Sequence, residues 1–553
     1  MPTRYPLEPI AGVRRPRANR LMRVFGHSVA PGLVLLTPFI VFLKYQGYDY
    51  ARPEILVCFA TLVVTSLALG AVGSTLIWAE VLMLAAVLTF FVDVQFVMAF
   101  WIFGIGKAKA LAAGFIMIVS VLWVLRAHAA RLITIMAGTA LVSTFLLPST
   151  KADQTAPAQS AATLHDLPLL VHLVLDEHIG IEGIPSTGSL PTLHSDLQSF
   201  YQTHGFRLFG AAYSEHKFTP RSLAHLFNFS PGQYVAELVQ PGTSRFTATL
   251  QRNDYLTFMA QQGYRLRVYQ SNYLNLCPHE SKMLTCDTYD IMGLAVLEDL
   301  PLRVSEKARL VGGGFLVKSK IVTRVKHWYD AVSSKGLGIG IHLPSWEWSY
   351  WMSTFNSMAE TERLKGALSR AHRGELFLAH LLVPHSPFVH DASCNTLPLD
   401  QWVRGSDGSV SIEDRSARYA SYDLQVRCTT RIVRDILEAI PAPLRREAIV
   451  IVQGDHGSRL AFLNARDSGA GARSIADYSD DYSTLFAVRA AGLKPSYDTQ
   501  PVPITCLLKT LVVSKFQSVA ELDACAQTPV VFLGVGSGRT VPTPLPIFGR
   551  TGQ

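Results

Sequence analysis

A chain of 553 residues, 49% apolar and 17% charged, is long enough for two or three domains and has neither a disordered nor a collagen-like composition. Its formal net charge of +8 is modest for this length and does not mark a nucleic-acid-binding protein. The apolar excess is uneven: it lies ahead of Pro148, in runs such as Ile55–Leu69 and Ile116–Leu125, and the composition after that point is that of a water-exposed domain.

Arg14, Arg15, Arg17, Arg20 and Arg23 precede the first apolar run, a basic flank that places the N-terminus in the cytoplasm. The competing reading, a signal-peptide n-region, lacks a small-residue cleavage pattern before further apolar runs follow. The runs predict five membrane spans, at 28–44, 54–73, 76–97, 108–125 and 130–147. Arg126, His128 and Arg131 make the turn between the last two basic, and therefore cytoplasmic. Five spans from an inside start deliver the rest of the chain outside; Lys107 and Lys109 fall on the outer side and count against this topology. Asp93 and Gln95, near the end of the third span, are expected at the interface or facing the bundle. The organisation predicted is a transmembrane bundle over 1–148, a linker rich in Ala, Ser, Thr and Gln over 149–166, an extracytoplasmic domain over 167–535, and a tail over 536–553.

Of seven cysteines, Cys58 lies inside an apolar run and is expected to be an inert buried thiol. The other six, Cys277, Cys286, Cys394, Cys428, Cys506 and Cys525, all follow the bundle, and an even number in an exported domain reads as disulfides. Zinc is the alternative, but no CxxC pair exists. The simplest pairing joins neighbours: Cys277–Cys286, Cys394–Cys428 and Cys506–Cys525.

In the C-terminal part, Leu169–Leu175, Leu376–Val383 and Ala448–Val452 are nearly continuous apolar, β-prone runs. Such strands are buried on both faces, which predicts an α/β domain with a mostly parallel sheet covered by helices, one of them the amphipathic stretch Asp423–Ile440. Each run ends on polar chemistry: Asp176-Glu177-His178, Pro384-His385-Ser386-Pro387 and Gly454-Asp455-His456-Gly457. Sites in open α/β sheets form beyond the carboxyl ends of strands, and carboxylate with imidazole is a donor set for a divalent cation. Taken singly, each residue is as well explained as a turn, a helix cap or a packing residue. Their joint placement after three buried strands is the informative pattern.

Arg207–Tyr213 reads as a further strand, after which Thr219-Pro220-Arg221-Ser222 opens a helix. Thr as N-cap followed by Pro is an ordinary helix start. A hydroxyl there also faces the unpaired N–H groups and positive dipole end that favour an alkoxide or a bound phosphate or sulfate.

These residues together resemble the sulfatase and alkaline-phosphatase superfamily: the acidic pair after the first strand, the Thr of Ser214-Glu215-His216-Lys217-Phe218-Thr219, the Pro384–Phe388 loop, Asp455-His456-Gly457, and the later Tyr482–Ala487 segment. The resemblance spans about residues 168–495. With a five-span bundle in front, the layout is similar to bacterial phosphoethanolamine transferases and lipoteichoic acid synthases. It implies an inner-membrane enzyme that moves a phosphoethanolamine- or phosphoglycerol-type head-group from a phospholipid to a periplasmic glycan or lipid acceptor. By that resemblance Thr219 is the nucleophile, and Asp176, Asp455 and His456 hold the metal with it. Glu177 joins or replaces Asp176, while His385 and Arg221 face the substrate. One divalent ion is implied, with zinc, manganese, magnesium and calcium not distinguished. The C/S-x-P-x-R pattern of formylglycine sulfatases is absent, since Pro220 and Arg221 follow Thr219 directly.

Two further readings stay open: a membrane-anchored hydrolase of sulfuric or phosphoric esters, and a degenerate binding or assembly protein that kept the fold without the chemistry. Lys318, Lys320, Arg324, Lys326 and Trp328 fit either a basic amphipathic helix on a membrane or a solvated helix face. Trp346, Trp348 and Trp351 fit either sugar stacking, headgroup contact or buried packing.

Overall fold

The computed structural model of the chain describes residues 18–95, 107–146, 167–185, 192–230, 237–242, 246–277, 284–332, 352–403, 412–460, 474–519, 529–535 and 539–546. Two compact units emerge, one formed by Met1–Ala152 with Arg303–Ser349, the other by Asp153–Leu302 with Tyr350–Gln553. The residues 303–349, read from sequence as part of the extracytoplasmic domain, thus group with the bundle.

In the first unit the five expected spans are helices: α1 (Ala18–Gln46), α2 (Pro53–Gly73), α3 (Ile77–Gln95), α4 (Lys107–Val124) and α5 (Ala129–Leu146). Four of them contain stretches long and apolar enough to cross a membrane; the apolar part of α4, Lys109–Val124, is shorter. Hydroxyls within them bond back to carbonyls one turn earlier, as Thr61 does to Val57 O (2.9 Å) and Ser66 to Leu62 O (2.7 Å), so these groups are satisfied inside the helix even in an apolar medium. The first two helices approach closely: a Cβ on Gly70 would lie 2.7 Å from Val24 O. Cys58 is a free, buried thiol, as expected. Asp93 is fully buried, which fits the bundle-facing alternative.

The second unit is built on an eight-stranded sheet. Its strands are β1 (Leu170–Leu175), β2 (Arg207–Phe209), β3 (Arg265–Ser271), β4 (Leu284–Tyr289), β5 (Glu375–Leu381), β6 (Ile449–Gly454), β7 (Phe486–Arg489) and β8 (Ser496–Asp498). Their order across the sheet is β8-β2-β7-β6-β1-β5-β3-β4. All run the same way except β7, which pairs antiparallel with both β6 and β2. Every residue of β1, β5 and β6 is buried, which is why their sequences are runs rather than alternations. Along β1, Leu170 and Val174 face one core with Leu223, Tyr255 and Leu507, while Val171, Leu173 and Leu175 face another with Leu197, Leu364 and Val426. Helices therefore cover both faces, and the amphipathic stretch is a longer helix than expected, Ile412–Ala439.

Two expectations change in detail, and the cysteine pairing holds where it is described. The stretch Arg207–Tyr213 is two short strands, Arg207–Phe209 and Ala212–Tyr213, broken at Gly210, where a Cβ would lie 2.4 Å from the Tyr497 hydroxyl. Within the region read as a tail, Arg539–Pro544 is a strand that pairs antiparallel with Val530–Val535. Cys277–Cys286 and Cys394–Cys428 are disulfides, and Cys506 is also disulfide-bonded, while Cys525 lies outside the described residues together with Trp346, Trp348 and Trp351.

Candidate active site

Strands β6, β1 and β5 are neighbours in register, Leu175 standing opposite both Gly454 and Leu381, so the residues just beyond them emerge side by side. Asp176, Asp455 and His456 converge there, all fully or almost fully buried, with one ligand atom from each within 4.8 Å of the others. His456 Nε2 lies 3.2 Å from Asp455 Oδ2 and 3.8 Å from Asp176 Oδ1.

The helix Thr219–Asn228 brings the hydroxyl to this cluster. Its N-cap is Phe218, not Thr219, and the cap makes no side-chain hydrogen bond. Thr219 is the first helical residue with Pro220 behind it, so its hydroxyl is free of capping duty. That hydroxyl instead donates toward Asp176 Oδ1 at 3.4 Å and lies 3.2 Å from His456 Nε2. Ser222, one turn on, donates to the Asp455 carbonyl and shares a 2.8 Å hydrogen bond with Ser214, and so ties this helix to the end of β6.

The partners fix the proton positions. His456 Nδ1 is 2.9 Å from Gly457 O, a pure acceptor, so Nδ1 carries the proton and Nε2 presents its lone pair to the cluster. Asp455 Oδ1 accepts from the N–H groups of Glu177 (3.0 Å) and His456 (2.9 Å), while its Oδ2 accepts no hydrogen bond among the described residues. A lone pair, an orphaned buried carboxylate oxygen and a second carboxylate thus point at one another, an arrangement that fits a divalent cation. Electrostatics agree. Burial, then Asp455, then Glu177 raise the Asp176 carboxyl well above the usual range. Burial pushes Asp455 up as well, but His456, His380 and the Glu177 N–H outweigh it and hold this group low.

Glu177 is oriented differently. It sits at φ +63°, in the left-handed region, held by Tyr422, whose hydroxyl donates to Glu177 O (2.7 Å) and accepts from Ile179 N (2.9 Å). Its carboxylate accepts from Arg459 Nε at 2.7 Å and faces His385 Nε2 at 3.7 Å. Burial opposes its charge, yet Arg459 and then His385 keep it ionised. His385 sits in the loop after β5, and Gln425 of the Ile412–Ala439 helix fixes that loop. Its Nε2 donates to the carbonyls of Pro384 (3.1 Å), His385 (2.9 Å) and Pro387 (3.3 Å), and its Oε1 accepts from Val389 N at 2.8 Å. Arg221 is half-buried; its charge acts on His216 and His225, depressing both imidazoles after burial and, for His216, after His225.

Sequence reasoning missed Arg459, His380, Tyr422 and Gln425. Arg459 falls four residues after Asp455, a signal that was available. His380 hides within β5, where it reads as one polar residue in an apolar run; its Nε2 is 3.8 Å from Asp176 Oδ2, and burial lowers its pKa to about 4.

No protein-family model matches this sequence, and no curated protein matches it. Solved structures do. A 2-O GAG sulfatase is 12% identical, the match covering 66% of this chain and 77% of that one with a TM-score of 0.40. The phosphonate monoester hydrolase of Agrobacterium radiobacter is 12% identical over 67% of this chain and 82% of its own, with a TM-score of 0.37. A protein of the alkaline phosphatase superfamily from Vibrio parahaemolyticus is 14% identical over 63% and 66%, with a TM-score of 0.33. The structures this chain is similar to thus include a sulfatase, a phosphonate monoester hydrolase and a protein of the alkaline phosphatase superfamily.

Proposed function

We propose that the chain is a membrane-bound, metal-dependent enzyme that transfers a phospho-head-group from a phospholipid to a glycan or lipid acceptor through a covalent intermediate on Thr219. The observation that carries this reading is the Thr219 hydroxyl, buried, relieved of capping, and set between Asp176 and His456 at 3.4 and 3.2 Å. Asp176, Asp455, His456 and Thr219 would hold one divalent cation, while Glu177 is engaged by Arg459. A cation bound there supplies positive charge that lowers the hydroxyl pKa and offsets charge on the phosphoryl oxygens.

The chain's own groups divide the remaining work. Thr219 Oγ gives up its proton to solvent and bonds to phosphorus as the bond from phosphorus to the glyceride oxygen breaks. His385, at the edge of the site, gives a proton to the departing oxygen and later takes one from the incoming acceptor hydroxyl. That hydroxyl oxygen then attacks phosphorus, the bond from phosphorus to Thr219 Oγ breaks, and Thr219 takes a proton back from solvent. Glu177 and Arg459 hold His385 and the loop in place through the contacts at 3.7 and 2.7 Å. The disulfides and the apolar N-terminal helices support a bacterial inner membrane with the catalytic unit on its periplasmic side.

Intact-protein and peptide mass spectrometry of the enzyme incubated with phosphatidylethanolamine or phosphatidylglycerol, without acceptor, tests the reading. A phosphorus-containing adduct on Thr219 is expected. Ester cleavage that needs no acceptor and leaves no persisting adduct would instead support an anchored hydrolase of sulfuric or phosphoric esters. An enzyme that binds no metal and cleaves neither class would be a degenerate binding protein.

A further inference from the structure

The excursion of the chain through residues 303–332 plays no part in the chemistry above. It forms two helices, Val304–Leu316 and Lys320–Val332, inside the same unit as the bundle. The first packs on α2 and reaches α1 and α3: Cys58 Sγ lies 3.5 Å from Ala308 O, and the Phe315 ring meets those of Phe39 (5.2 Å), Phe42 (5.7 Å) and Phe90 (5.9 Å). The second starts on Asp93 of α3, whose Oδ2 accepts from Ser319 Oγ (2.8 Å) and from Ile321 N (2.9 Å). A carboxylate buried near the end of a span is thus committed to the first turn of a helix that sequence places 226 residues away.

The contacted parts of the spans are the C-terminal half of α1, the start of α2 and the end of α3. In three successive antiparallel spans these lie at one membrane face, the one opposite the Arg-rich N-terminus. The second helix is therefore anchored where the spans leave the hydrocarbon. Its outward residues do not suit water: Val325 is 57% and Trp328 67% exposed, and they continue the stripe begun by Ile321 at helical spacing. Arg324, also exposed, stands beside them. Apolar and indole side chains with a neighbouring guanidinium, fixed at the level of a span's end, match the headgroup boundary of a bilayer.

We infer that residues 304–332 form a membrane-docking helix pair whose Val325–Trp328 face rests in the phospholipid headgroup region on the non-cytoplasmic side. The chain then crosses between its two units three times, after Ala152, Leu302 and Ser349, rather than once through a single linker. This inference does not depend on the reaction assigned to Thr219.

Depth measurements on the full-length protein test it. In a Cys58→Ser background, which keeps a donor toward Ala308 O, Val325→Cys and, separately, Trp328→Cys carry an environment-sensitive fluorophore in nanodiscs of phosphatidylethanolamine and phosphatidylglycerol. Glu362→Cys, at an exposed position on the other unit, is the aqueous control. Lipids brominated near the headgroup are expected to quench the 325 and 328 labels several-fold more than the 362 label, and aqueous iodide to quench them several-fold less. Iodide quenching equal to that at 362 would overturn the inference, because the face would be solvated. Quenching by neither agent at both positions would overturn it too, because protein would cover the face.

Discussion

Oδ2 of Asp455 lies 3.2 Å from Nε2 of His456, and neither atom carries a proton for the other: Nδ1 of His456 is committed to Gly457 O, and the Asp455 carboxyl is held low by His456 and His380 against its burial. Two lone-pair donors face each other in a buried site beside Asp176, and a cation resolves the repulsion. Asp455→Asn keeps the shape and both N–H contacts of Oδ1 but removes a charge. We expect it to lose bound metal and turnover together while circular dichroism stays native, with metal measured by elemental analysis of the purified protein. Full metal content in this variant would contradict the ligand assignment.

Gln425 makes a second, more remote test. Its buried amide serves three carbonyls of the His385 loop and one N–H, so Gln425→Leu strands Pro384 O and the Val389 N–H and leaves the His385 and Pro387 carbonyls to the Thr354 hydroxyl alone. A cost on the order of 2–4 kcal/mol is expected, at about 1–3 kcal/mol for a buried group left unsatisfied and with partial relaxation of the loop. Denaturant titration reads that loss, and a rise in KM alongside it would report the displacement of His385.

The two defined disulfides should differ in weight. Cys277–Cys286 closes 9 residues and Cys394–Cys428 closes 34, which by chain entropy corresponds to about 2.6 and about 3.8 kcal/mol. Paired Ser substitutions are expected to follow that order in chemical denaturation. Non-reducing peptide maps should show both links, and free thiols at these four positions would remove the case for an oxidising compartment.

Glu215, in the turn leading to Thr219, predicts a pH effect of defined sign. Burial raises its carboxyl to about 7 despite a hydrogen bond from Thr505. The folded state therefore binds this proton more tightly than the unfolded chain, and stability falls as pH rises from about 4.5 to about 7, by roughly 3 kcal/mol at most. Buried histidines such as His216, lowered to about 2, and His225, lowered to about 4, contribute the opposite slope below pH 6.5, and Glu360, raised to about 7, adds to the first, so the raw curve mixes several groups. The difference between Glu215→Gln and the parent isolates the first: the variant should gain stability at pH 7.5 and match the parent at pH 4.5. A flat difference would contradict the assignment.

Much of this site was legible because buried parallel strands announce themselves as apolar runs, and the residues just past each run are the ones the sheet presents at its edge. Asp176, His385, Asp455 and His456 were found that way. The remainder depended on geometry that no periodicity encodes. Thr219 reads as an N-cap because Thr-Pro usually is one, and only the backbone shows the cap one residue earlier. Glu177 looks equivalent to Asp176 in sequence, but its left-handed φ turns it toward Arg459. His380 is masked by the apolar run that buries it. The Val304–Val332 helices were invisible as part of the bundle because their partner, Asp93, is far away in sequence and each contact is ordinary in kind.

The nucleophile is the centre of the account, and its place at the first helical position sharpens the test. Since Thr219 does not cap, Thr219→Ala should cost only about 1 kcal/mol, for the buried hydroxyl's contacts with Asp176 and His456. The decisive measurement is turnover of the Ala and Ser variants on one phospholipid donor, each checked by thermal unfolding. We predict that Thr219→Ala loses several orders of magnitude in kcat and forms no adduct, while Thr219→Ser, which keeps a hydroxyl, retains a measurable fraction of both. A folded Thr219→Ala protein with near-parental kcat would contradict the covalent mechanism outright.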